Sequence, residues 1–219
     1  MDIVWDGIVG ADLLTGKEAK VRHRLADEAK RHDWTRVMAI LREHPALVNT
    51  TRPGGGSLFA PLHQAAHGGA PPEVVEELTL LGAWRTLQNE RGERPIDVAE
   101  RRGHKHLLGV MEPRLKRRVP IGVLLKIQAR FHDVIRGRAA EQAESAGLRL
   151  PELEPLLELE LQSVWFAIPG MYGGFSYQLH LDGVEAVLVS ESWCRVVDGS
   201  GQRHEVRSVG STLVAEGFV

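Results

Sequence analysis

The chain has 219 residues, of which 43% are hydrophobic and 26% are charged, as in ordinary soluble globular proteins. Its length fits one large domain or two small ones. A formal net charge of −2 argues against a nucleic-acid or acidic-membrane surface covering the whole molecule. No apolar run approaches the roughly 20 residues that cross a bilayer, so we expect no membrane association. The single cysteine and the absence of signal-peptide features favour a cytoplasmic protein.

After an N-terminal segment, residues 1–21, three helical patterns recur at a nearly constant spacing. Leu25, Leu62 and Ile96 are separated by 37 and then 34 residues, and each starts a helix with small residues three or four positions later. A second helix with an apolar stripe is predicted after each, over 34–43, 73–81 and 104–111. The extra residues of the first interval fall in a glycine-rich insertion, 51–57.

The segment Ala60-Pro61-Leu62-His63 resembles the opening of an ankyrin repeat, and Arg94-Pro95-Ile96-Asp97 echoes it. Residues 22–112 as a whole resemble the ankyrin-repeat family, with one clear repeat and two degenerate ones. In that family a Thr-Pro-Leu-His tetrad starts the first helix, the threonine caps it, and the histidine ties neighbouring loops together. Here Ala60 replaces the threonine, a lost cap that costs about 1 kcal/mol. The resemblance implies a solenoid over 22–118 that binds a partner through its concave face and finger loops.

The remainder of the chain has a different pattern. Residues 119–136 predict an amphipathic helix that caps the repeats, within a capping and acidic connecting region, 119–161. Residues 162–219 predict an antiparallel β-meander of four or five strands, with turn signals at Asp182-Gly183 and at residues 198–201. This part resembles no family that we recognise. The predicted fold class is α+β: a three-repeat ankyrin solenoid with a capping helix, followed by a small antiparallel β-meander domain.

The predicted partner-binding residues lie on one helix and one finger loop of the repeats. Trp84 and Arg85 stand on a finger, where a tryptophan–arginine pair would make a binding hot spot. The alternative is that Trp84 packs against the insertion at 54–59. Further predicted contacts on the concave face and finger tip are Gln64, His67, Asn89 and Arg91.

Sites for metals and catalysis have weaker support. His63 and His67 have the four-residue helical spacing of metal ligands, but His63 belongs to the repeat motif and no third ligand is near, so we expect no metal and no cofactor. Cys194 and His204 fall on neighbouring predicted strands and could pair as nucleophile and base, although a free cysteine in a sheet is more often a small hydrophobic residue. Tyr172, Trp193 and Arg195 would then line a ligand pocket.

The sequence therefore favours a protein-interaction scaffold of bacterial type over an enzyme. The alternative is an enzyme or small-ligand-binding protein, whose site lies in the β-domain or in a groove between it and the repeats. A basic junction at 114–118 could contact nucleic acid, but acidic residues between 152 and 160 offer a simpler internal match.

Overall fold

A computed structural model describes residues 3–182, 185–195 and 200–217 and shows an α+β protein. The chain divides into two compact units. One, residues Ile8–Arg114, is called the helical unit below. The other combines Met1–Gly7 with Leu115–Val219 and is called the sheet unit. In the described parts of the chain, no helix has both the length and the apolar character needed to cross a bilayer.

The helical unit is a series of helix pairs. Its helices are α1 Gly16–Lys30, α2 Trp34–Glu43, α3 Pro61–Gly68, α4 Pro72–Leu80, α5 Pro95–Arg102 and α6 Leu108–Met111, with 3₁₀ turns at Pro45–Leu47 and Lys105–Leu107. The two helices of each pair contact each other, and α3 packs between α1 and α5. Three successive pairs therefore share one layer of first helices.

Side chains at the helix starts explain where the chain turns helical. Thr15 and Glu18 form both halves of a capping box, so α1 begins at Gly16, six residues before the predicted start of the repeats. The Oδ1 atom of Asp33 accepts a hydrogen bond from the Arg36 backbone at 3.1 Å and starts α2. At α5, the carboxylate of Asp97 accepts from the backbone N–H of Arg94 at 2.8 Å.

Small side chains let the first helices approach one another. The layer that they form buries Leu25, Ala29, Leu62, Ala65, Ala66, Val98 and Ala99, each no more than 1% exposed. Alanine at these positions brings the backbones close, and larger residues on the second helices, such as Leu41 and Leu78, complete the core. The same core predicts that enlarging an alanine of α3 would separate the pairs.

The sheet unit contains a six-stranded sheet in sequential order. Its strands are β1 Ile3–Val4, β2 Val164–Ile168, β3 Gly173–Asp182, β4 Glu185–Cys194, β5 Ser200–Arg207 and β6 Gly210–Gly217. Strands β2 to β6 form an antiparallel meander, and β1 pairs in parallel with β2. The predicted meander is present; β1 was not predicted. The predicted turn residues Gly183, Asp198 and Gly199 lie outside the described residues.

One face of the sheet is covered by α7, Ile121–Ser145, which is interrupted at Ala139 by a non-helical backbone (φ −148°, ψ 37°). Phe131 of α7 is fully buried and its ring lies 6.2 Å from the Phe175 ring and 5.0 Å from the Tyr177 ring. The amphipathic pattern of residues 119–136 predicts a helix that caps the repeats. In the structure it packs on the sheet and belongs to the sheet unit, because its apolar stripe covers the aromatic side chains of β3.

Candidate functional site

The helical unit contains a groove of about 590 Å³. Its walls come from successive parts of the unit: the end of α1 and the following turn, the glycine-rich insertion, the exposed side of α3, the loop before α5, and α5 itself. Four of the six predicted partner-binding residues line it: Gln64, His67, Asn89 and Arg91. We call this cavity the groove.

The floor of the groove is formed by α3 and by Phe59, two residues before it. Gln64 and His67 lie three positions apart, on one side of α3. The Phe59 ring lies beside them, with its centroid 5.9 Å from the His67 ring and 5.5 Å from the His63 ring. This arrangement offers a half-buried aromatic surface next to an amide and an imidazole.

His63 lies behind the floor and is engaged in holding the loops. It is completely buried; its Nδ1 accepts from the backbone N–H of Ala60 at 3.4 Å, and its Nε2 lies 3.2 Å from the Glu93 carbonyl. Because Nδ1 accepts, the ring proton is on Nε2, which donates to that carbonyl. His63 thus joins α3 to the next loop. The described residues contain no group of three or more side chains suited to a metal ion.

The finger tip is organised by Asn89. Its Oδ1 accepts from the backbone N–H groups of Arg91 at 2.8 Å and Glu93 at 3.0 Å, and its Nδ2 donates to the Glu93 carboxylate at 2.8 Å. Asn89 is only 5% exposed, so it shapes the tip and offers a partner little surface. Arg91 is exposed, and its guanidinium makes no hydrogen bond or ion pair with any described residue.

Trp84 and Arg85 do not form an exposed hot spot. Trp84 is 6% exposed and Arg85 is 9% exposed. Arg85 donates from Nε to the Val110 carbonyl at 3.0 Å and from Nη2 to the Thr79 hydroxyl at 3.2 Å, so its guanidinium satisfies groups inside the unit. The prediction of a partner contact at these two residues is therefore corrected: they are structural.

A cluster of imidazoles at the end of α3 was not predicted. His32, after α1, has a left-handed backbone (φ 61°), a conformation in which glycine is the usual residue. A Cβ on Gly68 would lie 2.3 Å from the His32 ring, and a Cβ on Gly69 would lie 2.7 Å from the His104 ring. The two glycines therefore admit two imidazoles next to His67. A histidine where a glycine is expected was the only signal in the sequence.

Cations surround this end of α3. His104 Nε2 lies 3.2 Å from the His67 carbonyl, and Arg102 donates to the same carbonyl at 3.4 Å. These contacts satisfy the carboxyl end of the helix, where positive charge is favourable. Burial, followed by the charges of Arg102, His32, Arg101 and His104, lowers the pKa of the His67 side chain. The neighbouring charges that lower this pKa are all basic.

One ion pair neutralises part of the charge of the groove. Arg101 donates to Glu93 at 2.6 and 3.2 Å. Hydrogen bonds from Arg101 and then Asn89 hold the pKa of the Glu93 carboxyl below its usual range. The side chains of Lys30 and Arg91 make no hydrogen bond or ion pair with the described residues, and Glu90 is the one lining carboxylate that is not bound by another described side chain.

The residues predicted as a second pocket, in the sheet unit, do not converge. Cys194 lies opposite Ser200 and His204 lies opposite Ser190, so Cys194 and His204 are four positions apart along the strands, roughly 13 Å. Trp193, next to Cys194, alternates to the other face of the sheet, where its ring is tilted by 45° against that of Trp165, with centroids 5.7 Å apart. The Cys194–His204 pair is therefore excluded as a nucleophile and base.

The two remaining residues of that set are at the surface. Tyr172 is 77% exposed, in a turn between strands, with a left-handed backbone (φ 50°). Arg195 is exposed at the end of a described stretch. The basic junction is also engaged: Arg117 donates to the carbonyls of Leu156 and Leu179, and burial lowers its pKa. These contacts account for Arg117 without a bound phosphate.

A polar patch on the inner face of the sheet was not predicted. Arg138 of α7 donates to the backbone and hydroxyl oxygens of Ser200. Ser190 and Ser192 are 1% and 3% exposed, and their hydroxyls have no hydrogen-bond partner among the described residues. Burial and then the charge of Arg138 lower the pKa of the His204 side chain. We call Arg138, Ser190, Ser192, Ser200 and His204 the inner polar patch.

Comparison with known proteins adds no assignment: no protein-family model matches the chain, and the search of curated proteins gave no match.

Proposed function

We propose that the helical unit is an ankyrin-type repeat unit and that it binds a segment of a partner protein in the groove. Support for the repeat assignment comes from three helix pairs in register and from His63, which joins α3 to the following loop as the tetrad histidine of that family does. Such repeats bind partners with the surface formed by their first helices and loops. The chain would then act as an interaction scaffold.

The groove is the observation that carries this proposal. Its 590 Å³ would accommodate a few side chains of a partner, and its lining combines an aromatic ring, an amide, imidazoles and unpaired cations. None of the twelve lining residues comes from the sheet unit, so the helical unit supplies the whole site. Polar groups around a half-buried aromatic ring are typical of a site that recognises a peptide segment.

Capture from native lysate with matched charge reversals tests the proposal. Lys30 and Lys20 both lie on exposed positions of α1, but only Lys30 lines the groove. We expect Lys30→Glu and Arg91→Glu each to reduce capture about fivefold or more, as substitutions of interface hot spots do, whereas Lys20→Glu leaves it unchanged. A photo-crosslinking residue at Gln64 should label the same protein. Equal capture by all three variants would exclude the groove as the binding surface.

A second candidate function, small-ligand binding by the sheet unit, is favoured by the inner polar patch. A buried hydroxyl without a partner costs about 1–3 kcal/mol, so Ser190 and Ser192 together destabilise the unit unless a bound group satisfies them. All the unpaired atoms there, including Arg138 Nε, can donate, which favours a small oxyanion.

Thermal unfolding in the presence of inorganic phosphate tests this second candidate. The melting temperature of the wild-type chain should rise with phosphate relative to chloride at equal ionic strength, and the rise should be absent in Arg138→Gln and reduced in Ser192→Ala. An equal response of all three proteins would refute oxyanion binding at this patch. If Ser192→Ala is more stable than the wild type and the melting temperature of neither protein rises with phosphate, the Ser192 hydroxyl is a destabilising group without a ligand.

A further inference from the structure

The charges of the groove are unbalanced at one end. Lys30 and Arg91 have no ion-pair partner among the described residues, whereas the carboxylate of Glu93 is already bound by Arg101 and Asn89. Glu90 alone remains as an uncommitted anion, at the exposed tip. The surplus of positive charge is local to the groove, because the chain as a whole has a formal net charge of −2.

The histidine cluster adds to the imbalance. From the turn after α1, the His32 ring packs over Gly68; from the segment after α5, the His104 ring packs over Gly69. Arg101 and Arg102 face His67 from α5, and Lys30 lines the same cavity from α1. Two carboxylates, Glu90 and Glu93, line the same cavity, and that of Glu93 is bound by Arg101 and Asn89. The neighbouring charges that lower the pKa of His67 are basic, so protonation of His67 in the free protein meets repulsion from several sides.

Maintaining this cluster costs backbone strain. The left-handed region disfavours residues other than glycine, and His32 adopts it at a site where glycine would serve the turn equally well. The ring that glycine lacks is the part that reaches α3, where it lies between Trp34 and Gly68. The strain therefore places an imidazole against the groove.

We infer that the groove binds an acidic segment of the partner, rich in carboxylates, and that binding is accompanied by uptake of a proton at the histidine cluster. The inference rests on the proposed function. Partner carboxylates pair with Lys30 and Arg91 and lie near the cluster, where their negative charge favours the protonated form of His67. The complex then holds a proton that the free protein lacks, and affinity increases as the pH falls through the range in which the bound His67 titrates.

The sign of this effect follows from the geometry. In the free protein the pKa of His67 is lowered by burial and surrounding cations, and an adjacent carboxylate raises it again. Between the two pKa values the bound form carries more protons than the free form. Affinity must therefore increase on acidification across that interval and level off below it, with at most a tenfold change per pH unit for one proton.

Three labelled peptides of equal length test the inference: alternating Glu-Gly, alternating Gln-Gly and alternating Lys-Gly. Fluorescence anisotropy at low salt measures the affinity at pH about 6 and at pH about 8, which lie below and above the ordinary pKa of histidine. We expect the glutamate peptide alone to bind, about three- to tenfold more tightly at the lower pH. Lys30→Glu and Arg91→Glu should abolish binding, whereas Lys20→Glu should not.

Substitutions of single histidines test whether His67 takes up the proton. His67→Gln should keep binding at the higher pH and lose most of the increase at the lower pH, whereas His44→Gln, at the exposed end of α2, should behave as the wild type. Absence of binding of the glutamate peptide, or an unchanged affinity between the two pH values, would overturn the inference. If lysate capture still depends on Lys30 and Arg91 in that case, the proposed function stands and only the acidic, proton-linked partner is excluded.

Discussion

Replacing Arg85 with alanine separates a structural role from a partner contact. The substitution removes the donors to the Val110 carbonyl and the Thr79 hydroxyl from a residue that is only 9% exposed. Hydrogen bonds from a charged group contribute about 1.5–3 kcal/mol each, and water can restore part of this at the half-buried carbonyl, so we expect a loss of about 3 kcal/mol in unfolding free energy. With a urea dependence of about 1.5 kcal/mol/M, the unfolding midpoint falls by about 2 M.

Urea unfolding followed by circular dichroism measures this loss, and hydrogen exchange assigns it to residues 8–114. Arg91→Ala is the matched control, because its exposed guanidinium makes no internal bond and its removal should change stability by less than about 0.5 kcal/mol. Arg85→Lys should recover little of the lost unfolding free energy, since a lysine ammonium cannot reproduce the planar guanidinium that reaches both acceptors. An Arg85→Ala chain of normal stability that no longer captures its partner would refute the structural role.

Three further predictions concern the remaining parts of the molecule. His32→Gly should keep the unfolding free energy within about 1 kcal/mol, because relief of left-handed strain offsets the lost ring contacts, yet weaken partner capture; unchanged capture would remove His32 from the site. Phe131→Ala should destabilise the sheet unit by about 3–5 kcal/mol in denaturant unfolding, with exposed Leu125→Ala as the control, and equal effects of the two would contradict the packing of α7 on β3. Burial lowers the pKa of His132, so at pH values below about 6.5, the ordinary pKa of histidine, the unfolded chain binds more protons than the folded one. The free energy of unfolding should therefore decrease as the pH is lowered from 6.5, and less steeply in His132→Gln. Parallel pH profiles of the two proteins would disprove this linkage.

Much of the fold followed from local patterns in the sequence. The helix at Trp34–Glu43 was predicted with its observed ends, since its apolar stripe is a local signal. The strands of the meander followed from alternation and turn residues. The strand Ile3–Val4 was missed because two residues carry no periodicity, and its pairing partner lies far along the chain.

The assignment of α7 shows why packing partners are harder to predict than helices. An amphipathic stripe indicates that a helix buries one face, but it does not identify the surface that covers it. The aromatic residues that cover Phe131 come from β3, more than forty positions later. The predicted proximity of Cys194 and His204 was wrong for a similar reason. It depended on the assumed length of one turn, and in the observed register Cys194 lies opposite Ser200.

The candidate site was predicted in part because exposed helix positions follow from periodicity, whereas burial of a loop does not. Gln64 and His67 were placed correctly on the accessible side of α3. Trp84 and Arg85 were assigned to the surface because they stand in a loop, but the loop folds inward and Arg85 supplies donors to groups around it. A long polar residue in a loop can therefore satisfy the interior as readily as it can meet a partner.

The groove and the histidine cluster also explain why this part of the unit departs from what stability alone favours. Glycine at position 32 would relieve the backbone, and a side chain at position 68 would fill the space that the His32 ring occupies. The chain has instead a strained histidine over a glycine, two cations without an ion-pair partner among the described residues, and a third imidazole, His67, surrounded by basic side chains. The left-handed backbone of His32 and the basic surroundings of His67 cost free energy in the isolated protein, and in the proposed complex an acidic segment would offset the second of these costs. A surface of this kind gains most from the partner that supplies the missing charge.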